Sequence, residues 1–241
     1  MREHQSEQLK LNLQELELRP SDKQIEQFMM YYDLLVEWNG FMNLTAITEF
    51  NEVCLKHFVD SVSLCKAINC SERKKIIDIG TGAGFPGIPL KIMYPNFQIT
   101  LLDSLGKRVK FLNEVISKLG LTDIEAIHGR AEDFVKEKGR REGYDLCVSR
   151  AVANLSTLSE YCLPYVKKEG YFVSYKSEKI VEESKVAAHA IEILGGKIAG
   201  QVEFQLPNSD IYRNLFMIQK IKSTPAKYPR KAGLPSKEPL I

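Results

Sequence analysis

Residues 75–90 read KIIDIGTGAGFPGIPL, and this stretch decides the fold. An apolar run that contains Asp78 is followed by glycines at alternate positions, Gly80, Gly82 and Gly84. The pattern predicts a β-strand, a tight glycine turn and then a helix. Pro86 suits the first turn of that helix because proline lacks an N–H that would have no partner there. Glycines in such a turn let backbone N–H groups approach a ligand closely, so we expect a ligand site here.

Two glycine patterns overlap in this turn. G-x-G-x-G, starting at Gly80, is typical of a methyl-donor site, whereas G-x-G-x-x-G, starting at Gly82, is typical of a nicotinamide dinucleotide site. The strand is predicted to end at Ile79, which places Gly80 at its tip and favours the first pattern. We then expect Asp78 to face the ammonium group of S-adenosylmethionine. Asp103, at the end of the next strand, would bind ribose hydroxyls, but a dinucleotide site also has an acid at that place.

Short apolar strands alternate with helical segments after this turn. Strands are predicted at 75–79, 98–103, 124–128, 144–149 and 171–176, and helices at 86–94, 106–119, 131–137, 155–162 and 178–194. The alternation is typical of β-α-β units, which build a mostly parallel sheet covered on both faces. Two further strand-like runs, 197–206 and 214–221, predict an antiparallel pair at one edge. The predicted fold class is therefore α/β and Rossmann-like.

The chain divides into three segments by composition. Residues 1–70 form a predicted helical extension, in which Ser21 and Gln24 fit a capping box and Asn39-Gly40 ends the helix that follows. The catalytic domain is predicted at 71–222, and a basic, proline-rich tail at 223–241. The tail is expected to form no regular element. Its basic residues, Lys227, Arg230 and Lys231, fit a solvated tail or an arm that lies on phosphates.

Composition limits the class of protein. The chain of 241 residues is 44% hydrophobic with a net charge of +2, so it lacks the global basic field of small nucleic-acid binders. Five cysteines show no metal-site spacing. There is no signal-peptide pattern and no apolar run near the roughly 18 residues of a membrane helix. We expect a cytoplasmic protein that uses no metal and no membrane.

Several polar residues fall at the predicted carboxyl ends of strands, where an open α/β sheet binds ligands. They are Asp78, Asp103, Ala131-Glu132 and Arg150. Asp103 also fits a helix cap, and Glu132 fits a first-turn helix acid. No cysteine nucleophile or N-P-P-Y acceptor loop follows strand four, because Cys147 lies inside the strand. A ring nitrogen such as guanine N7 needs neither, since its lone pair is already in the plane of the base.

The motifs DIGTGAGFPGIPL, GRAEDF, DLCVSRAVANL and KYPRKAGLP together resemble the RsmG family, also called glucose-inhibited division protein B. In the N-terminal part, YYDLLVEWNGFMNLTAIT and KHFVDS resemble it as well. The resemblance implies a class I S-adenosylmethionine-dependent methyltransferase fold and a bacterial cytoplasmic enzyme. It also implies methyl transfer to guanine N7 in 16S rRNA, at guanine 527 in the standard rRNA numbering, within the small ribosomal subunit or its precursor.

The resemblance also implies roles for residues. Donor contacts are expected at Gly80, Phe85, Asp103, Ala131, Glu132 and Arg150, to which we add Asp78, Gly82, Gly84 and Ser104. Catalytic roles fall to Arg150 and Lys176. RNA contacts are expected at Asn43, His57, Lys176 and Arg213, with Lys227, Arg230 and Lys231 of the tail. Structural roles remain open for some of these, since Phe85 fits a helix-start core, Asn43 a turn cap and His57 a structural histidine. A nicotinamide-dependent dehydrogenase and a non-catalytic RNA-binding factor remain alternative functions.

Overall fold

The glycine turn follows an interior strand of the sheet, at the carboxyl end of that strand. The computed structural model describes residues 2–150, 152–177 and 180–240. Its strands are β1 (Lys75–Ile79), β2 (Gln98–Asp103), β3 (Ile124–His128), β4 (Tyr144–Arg150), β5 (Val166–Lys176), β6 (Gly196–Gln205) and β7 (Tyr212–Lys220). They form one sheet in the order β3-β2-β1-β4-β5-β7-β6.

The sheet confirms the predicted fold class. Strands β1 to β5 pair in parallel, and β7 is antiparallel to both β5 and β6. The predicted antiparallel pair therefore lies at one end of the sheet. Only β5 differs appreciably from prediction, because it begins at Val166 and not at residue 171. Its first residues after Val166 are polar and exposed, so the apolar pattern did not mark them.

Helices cover both faces of the sheet. Their bounds are α1 (Arg2–Gln14), α2 (Asp22–Met42), α3 (Phe50–Val53), α4 (Asp60–Val62), α5 (Gly87–Met93), α6 (Gly106–Lys118), α7 (Ala131–Phe134), α8 (Leu155–Cys162), α9 (Ile180–Ile193) and α10 (Leu234–Lys237). The start predicted for α9, at residues 178–179, lies outside the described residues. None of the described helices has both the length and the apolar character needed to cross a membrane.

Helix α2 begins as predicted and ends later than predicted. The amide of Gln24 donates to Ser21 Oγ at 3.3 Å, and the Ser21 amide donates to Gln24 Oε1 at 2.8 Å, which confirms the capping box. The expected stop at Asn39-Gly40 is wrong, because the helix continues to Met42. The Asn39 side chain instead accepts hydrogen bonds from the amides of the two residues that follow the helix cap, Leu44 and Thr45.

A π-helical turn, Cys54–Val59, joins α3 to α4. Such turns carry i→i+5 hydrogen bonds and occur frequently at functional sites, because the wider turn displaces side chains from their regular spacing. Here the turn carries Lys56 and His57, and Asp60 follows directly. The segment therefore presents three polar side chains beside an otherwise apolar helix.

The N-terminal helices share one hydrophobic core with a face of the sheet. Leu9, Phe28 and Tyr31 belong to the same buried cluster as Phe85 and Phe111. The other face is covered by α7, α8 and α9, whose buried side chains form a second cluster with β4 and β5. The C-terminal tail packs on α8. All three predicted segments are thus packed against the same sheet.

Candidate functional site

The glycine turn is pinned to β2 by backbone hydrogen bonds. The amides of Gly80 and Thr81 both donate to Leu102 O, at 2.9 and 3.2 Å. The three alternate glycines have positive φ angles of 70°, 64° and 97°. A Cβ on Gly84 would lie 2.6 Å from Ile88 Cδ1 and 2.7 Å from the Tyr31 hydroxyl. All three positions therefore favour glycine for conformation, and Gly84 also requires it for space.

Asp78 differs from its expected position facing a ligand. Its carboxyl is fully buried, and Oδ2 accepts hydrogen bonds from Thr81 Oγ1 at 2.7 Å and from the Gly87 amide at 2.9 Å. Oδ1 has no hydrogen-bond partner among the described residues. Burial raises the pKa of Asp78 to about 7. The carboxyl therefore joins the turn to the start of α5 and does not reach the open cleft.

Asp103 closes the other side of the turn. Its Oδ2 accepts from the Gly82 amide at 2.9 Å and from Arg108 Nη1 at 3.3 Å, and its Oδ1 accepts from the Leu105 amide at 2.9 Å. The last contact lies just before α6, whose N-cap is Leu105 and has no side-chain cap hydrogen bond, so Asp103 does not take the alternative capping role. The ribose contact remains a prediction.

A first cavity of about 450 Å³ opens at the carboxyl ends of β1 to β4. Four of the predicted donor-binding residues line it: Gly80, Ser104, Ala131 and Glu132. Its wall also includes Val152 and Ala153, just after β4, and Gly233, Ser236 and Lys237 of the tail. Gly82, Gly84, Phe85 and Arg150 are not among its lining residues. The structure thus brings together part of the predicted set and adds the tail, which sequence reasoning did not place at this site.

The tail is more ordered than expected. It contains the short helix α10, so the prediction that it forms no regular element is wrong. The guanidinium of Arg230 is engaged by Glu160, with Nη2 and Oε2 at 2.7 Å, so in this structure it is not free to contact RNA. Lys227 and Lys231 are exposed, and the Lys227 ammonium lies 5.1 Å from the ring centroid of Tyr228.

A second cavity, of about 490 Å³, adjoins the first. Four residues predicted for catalysis or RNA line it: His57, Arg150, Lys176 and Arg213. Arg150 lies here, whereas Val152, two residues further along the chain, lines the first cavity. Lys176 Nζ donates to Ala153 O at 3.0 Å and lies 2.6 Å from Glu183 Oε2. The end of β4 is therefore a shared wall between the two cavities.

Asp60 organises this second cavity. It is 2% exposed, and its Oδ2 accepts from Arg150 Nη1 at 2.7 Å while its Oδ1 accepts from Arg213 Nε at 2.8 Å. A buried carboxylate with two arginine partners fixes both guanidinium groups in place. Sequence reasoning missed Asp60 and Glu183 as site residues. Asp60 was within reach, because it belongs to the quoted motif KHFVDS.

His57 sits between Arg150 and Thr45. Its Nε2 is 2.9 Å from Thr45 Oγ1, and its Nδ1 is 3.3 Å from Arg150 Nη2. The same Nδ1 lies 3.2 Å from Lys56 O, which can only accept, whereas the Arg150 guanidinium can only donate, so these contacts are compatible with either neutral tautomer. Burial, followed by the charge of Arg150, lowers the pKa of His57 to about 4. The ring is therefore neutral near pH 7.

Phe85 lies under this pair and not in the first cavity. Its ring stacks on His57 with centroids 4.5 Å apart, and the Arg150 guanidinium carbon lies 5.1 Å from its centroid. Only 6% of Phe85 is exposed. Phe85 therefore supports the floor of the second cavity, and its contact with the donor stays a prediction.

Asn43 has the capping role that the sequence left open, and its contact with RNA stays a prediction. It is the C-cap residue of α2 and adopts a left-handed conformation with φ 51° and ψ 57°. Asparagine tolerates this conformation better than most residues, which accounts for its presence at a helix end. Asn43 is exposed and does not line the second cavity. The turn-cap alternative therefore describes what the structure shows.

We expect His57 to make stability depend on pH. Its pKa is lowered from the ordinary 6.5 to about 4 in the folded chain, so the unfolded chain binds more protons between these values. Its contribution is present above pH 6.5 and is lost as the pH falls to 4. At about 1.4 kcal/mol per unit, wild type should lose roughly 3 kcal/mol more than His57→Gln between pH 7 and pH 4. Urea unfolding at several pH values measures this.

Wild type must be compared with His57→Gln because the titration of Asp78 changes stability with pH in the opposite direction. Its raised pKa favours the folded state at low pH, and this effect is common to wild type and variant. Parallel pH profiles for the two chains would show that His57 titrates with an ordinary pKa in the folded protein.

Residues 24–211 match the family described as rRNA small subunit methyltransferase G. The chain belongs to this family. It is 56% identical over 218 residues to the ribosomal RNA small subunit methyltransferase G of Lachnoclostridium phytofermentans, covering 90% of each chain. It is 53% identical over 232 residues to the protein of that name from Alkaliphilus metalliredigens, covering 96% of this chain and 97% of the other.

Solved structures of other families share the fold. A SAM-dependent methyltransferase from Aquifex aeolicus superposes with a TM-score of 0.53 at 20% identity, over 69% of this chain and 93% of that one. TYW2 of M. jannaschii, solved in complex with AdoMet, gives 0.52 at 16% identity, over 67% of this chain and 77% of that one. The fold of this family member is therefore that of class I S-adenosylmethionine-dependent methyltransferases. Within the described ranges, no group of three or more His, Cys, Asp or Glu side chains is placed to hold a metal ion.

Proposed function

We propose that the chain transfers a methyl group from S-adenosylmethionine to guanine N7 of 16S rRNA, at guanine 527 in the small ribosomal subunit or its precursor. One observation carries the proposal. The end of β4 separates two adjoining cavities, so that a donor in the first and a base in the second would meet at one wall. The family's name and its relatives' names support rRNA as the substrate.

The first cavity fits the donor. Its volume of about 450 Å³ is within the range of about 300–1,000 Å³ of small-molecule sites. At the strand tip, a Cβ on Gly80 would lie 2.6 Å from Val152 Cγ2, so glycine allows these two parts of the cavity wall to pack closely. Ser104, the Gly80 backbone and Glu132 supply polar groups. Asp103 Oδ1 accepts only one of the three hydrogen bonds to this carboxylate and so retains one lone pair for a hydroxyl donor. The bound donor would supply an electrophilic methyl group.

The residues of the second cavity are suited to orienting the guanine base without taking a proton from it. An N7 lone pair attacks directly, and in-line positioning supplies much of the rate. Burial lowers the pKa of His57 to about 4, so its neutral ring is a weak general base. Arg150 and Lys176 are cationic donors suited to guanine O6 or to phosphate. A bond to N7 itself would block the reacting lone pair, so we assign their contacts to O6 or the backbone.

The dinucleotide alternative finds little support in the turn. Gly87, the last glycine of its pattern, has a packing role, because a Cβ there would collide with Leu101 Cδ2. Titration with S-adenosylhomocysteine and with NAD distinguishes the two functions. Tight binding of NAD, with no binding of S-adenosylhomocysteine, would refute the methyltransferase.

The deciding experiment uses donor labelled in its methyl group. We expect label in 16S rRNA at a single guanine, mapped as N7-methylguanine, when naked RNA, precursor particles and mature small subunits are compared. Label at another atom or in another RNA would correct the proposed acceptor. Binding of the particles without label in any of them would favour a non-catalytic RNA-binding factor.

A further inference from the structure

Residues 228–240, here called the strap, cross α8 and reach the first cavity. At its start, Arg141 holds the strap to the body of the domain, since Nη1 donates to Tyr228 O at 2.9 Å. Further along, Thr157 Oγ1 of α8 donates to Pro235 O at 3.1 Å, and Ser156 Oγ donates to Leu240 O. The strap is therefore bound along its length by side chains of the catalytic domain.

Its strongest anchor is an ion pair between Arg230 and Glu160. Nε and Nη2 of Arg230 donate to the two carboxylate oxygens at 3.0 and 2.7 Å, and the Arg230 amide donates to Oε1 at 2.8 Å. The Glu160 side chain is only 1% exposed, whereas that of Arg230 is 22% exposed. A buried carboxylate on α8 needs this partner, because leaving it uncompensated is costly. Glu160 therefore holds the strap on α8 through a buried carboxylate.

A second contact joins the strap to the cavity itself. The Gly233 amide donates to Glu132 Oε1 at 2.8 Å, and Glu132 is 4% exposed. Gly233 has a φ of 82°, which places its amide at the start of α10. Glu132 and Gly233 both line the first cavity, as do Ser236 and Lys237 of α10. One carboxylate thus links the strap to the wall on which the donor is proposed to bind.

We propose that the strap is an integral wall of the donor site, and that donor affinity depends on its docking through Arg230 and Glu160. This inference rests on the proposed function, because it takes the ligand of the first cavity to be the methyl donor. If only the docked form binds donor, loosening the strap lowers the apparent affinity in proportion to the docked fraction. By linkage, bound donor must in turn hold the strap in place.

Calorimetric titration with S-adenosylhomocysteine tests the first half of this coupling. We expect Arg230→Ala to weaken binding by at least about tenfold, because the docked fraction falls. Arg230→Lys keeps the charge but not the two parallel hydrogen bonds. Its affinity for S-adenosylhomocysteine should therefore lie between those of Arg230→Ala and wild type. Lys222→Ala is the matched control, since Lys222 is an exposed cation before the strap, and it should bind as wild type does.

Limited trypsin digestion tests the second half. Cleavage after Lys231, an exposed residue inside the strap, should slow when S-adenosylhomocysteine saturates wild type, and should be fast in Arg230→Ala with or without ligand. Gly233→Val is a second strap variant in case Arg230→Ala fails to fold. It strains the backbone at a positive φ, while its Cβ would meet nothing closer than Arg130 Nη1 at 3.9 Å.

The outcomes separate this inference from the proposed function. The strap's role would be overturned if folded strap variants bind S-adenosylhomocysteine as wild type does and if the rate of cleavage after Lys231 is the same with and without ligand. The proposed methyltransferase function would be unaffected by that result. A wild-type chain that binds no S-adenosylhomocysteine would instead refute the donor site, and the strap's role with it.

Discussion

Arg150→Ala is expected to lower kcat/KM for methyl transfer by about a hundredfold or more, the scale of loss that follows a misplaced reacting group. Arg150 bonds to Asp60, to Lys56 O and to His57, and so holds three groups of the second cavity in one arrangement. Loss of the Arg150 side chain removes these contacts from the second cavity but leaves Asp60 paired with Arg213. Rates with labelled donor and RNA, beside calorimetry with S-adenosylhomocysteine, should show lost transfer with retained donor binding.

Arg2→Ala is a matched control for this variant. Arg2 pairs with Asp33 at 2.7 Å, the same separation as Arg150 and Asp60, but both Arg2 and Asp33 are solvent-exposed. Exposed pairs contribute little to stability, so this change should affect neither rate nor folding. Circular dichroism must show Arg150→Ala to be folded. An unfolded variant, or one that transfers methyl at the wild-type rate, would contradict the positioning role.

Gly84→Ala is expected to have the largest effect on stability. The residue would have to adopt a φ of 97°, and its Cβ would overlap Ile88 and the Tyr31 hydroxyl. Backbone strain costs about 1–2 kcal/mol and overpacking about 1–3 kcal/mol more, so we expect a total of roughly 2–5 kcal/mol. Chemical unfolding without ligand measures the change in the free energy of unfolding.

Gly82→Ala isolates the strain from the overlap. Gly82 has a similar positive φ of 64°, but a Cβ there would meet only Gly80 O, at 4.0 Å. It should therefore cost only the strain of about 1–2 kcal/mol. Equal losses for the two variants would show that the packing of Tyr31 and Ile88 yields to the added methyl group.

The repeating pattern of the chain predicted the fold, and local polar residues predicted only part of the site. Strands 75–79, 98–103 and 124–128 appear with the bounds predicted, because apolar runs between turn residues depend on local sequence. Asp78 lies at the end of its strand as predicted, but its carboxyl is buried beneath the turn, and Phe85 packs in the core at the helix start, which was one of its two predicted roles. A sequence gives the place where a strand ends and does not tell which neighbours a side chain will meet there.

Contacts between distant residues explain the remaining differences. Asp60 and Arg150 are 90 residues apart, and Glu160 and Arg230 are 70 apart. No local pattern indicates such pairs. The sequence left the tail open between a solvated segment and an arm on phosphates, and neither alternative anticipated its pairing with Glu160, a buried carboxylate on α8. The sequence did not predict two cavities, because Arg150 at the end of β4 and Val152 just after it are close in the chain but line different cavities.

The contact between α2 and the glycine turn has a consequence for synthesis on the ribosome. The Tyr31 hydroxyl donates to Ala83 O, which is 52 residues later, and its ring packs near Phe111 with centroids 6.5 Å apart. Within the first eighty residues, Phe28 and Tyr31 of α2 have only Phe58 as an aromatic partner, because Phe85 and Phe111 come later in the chain. Translation must proceed past α6 before this face is fully buried, so part of its hydrophobic surface stays exposed on the nascent chain until then.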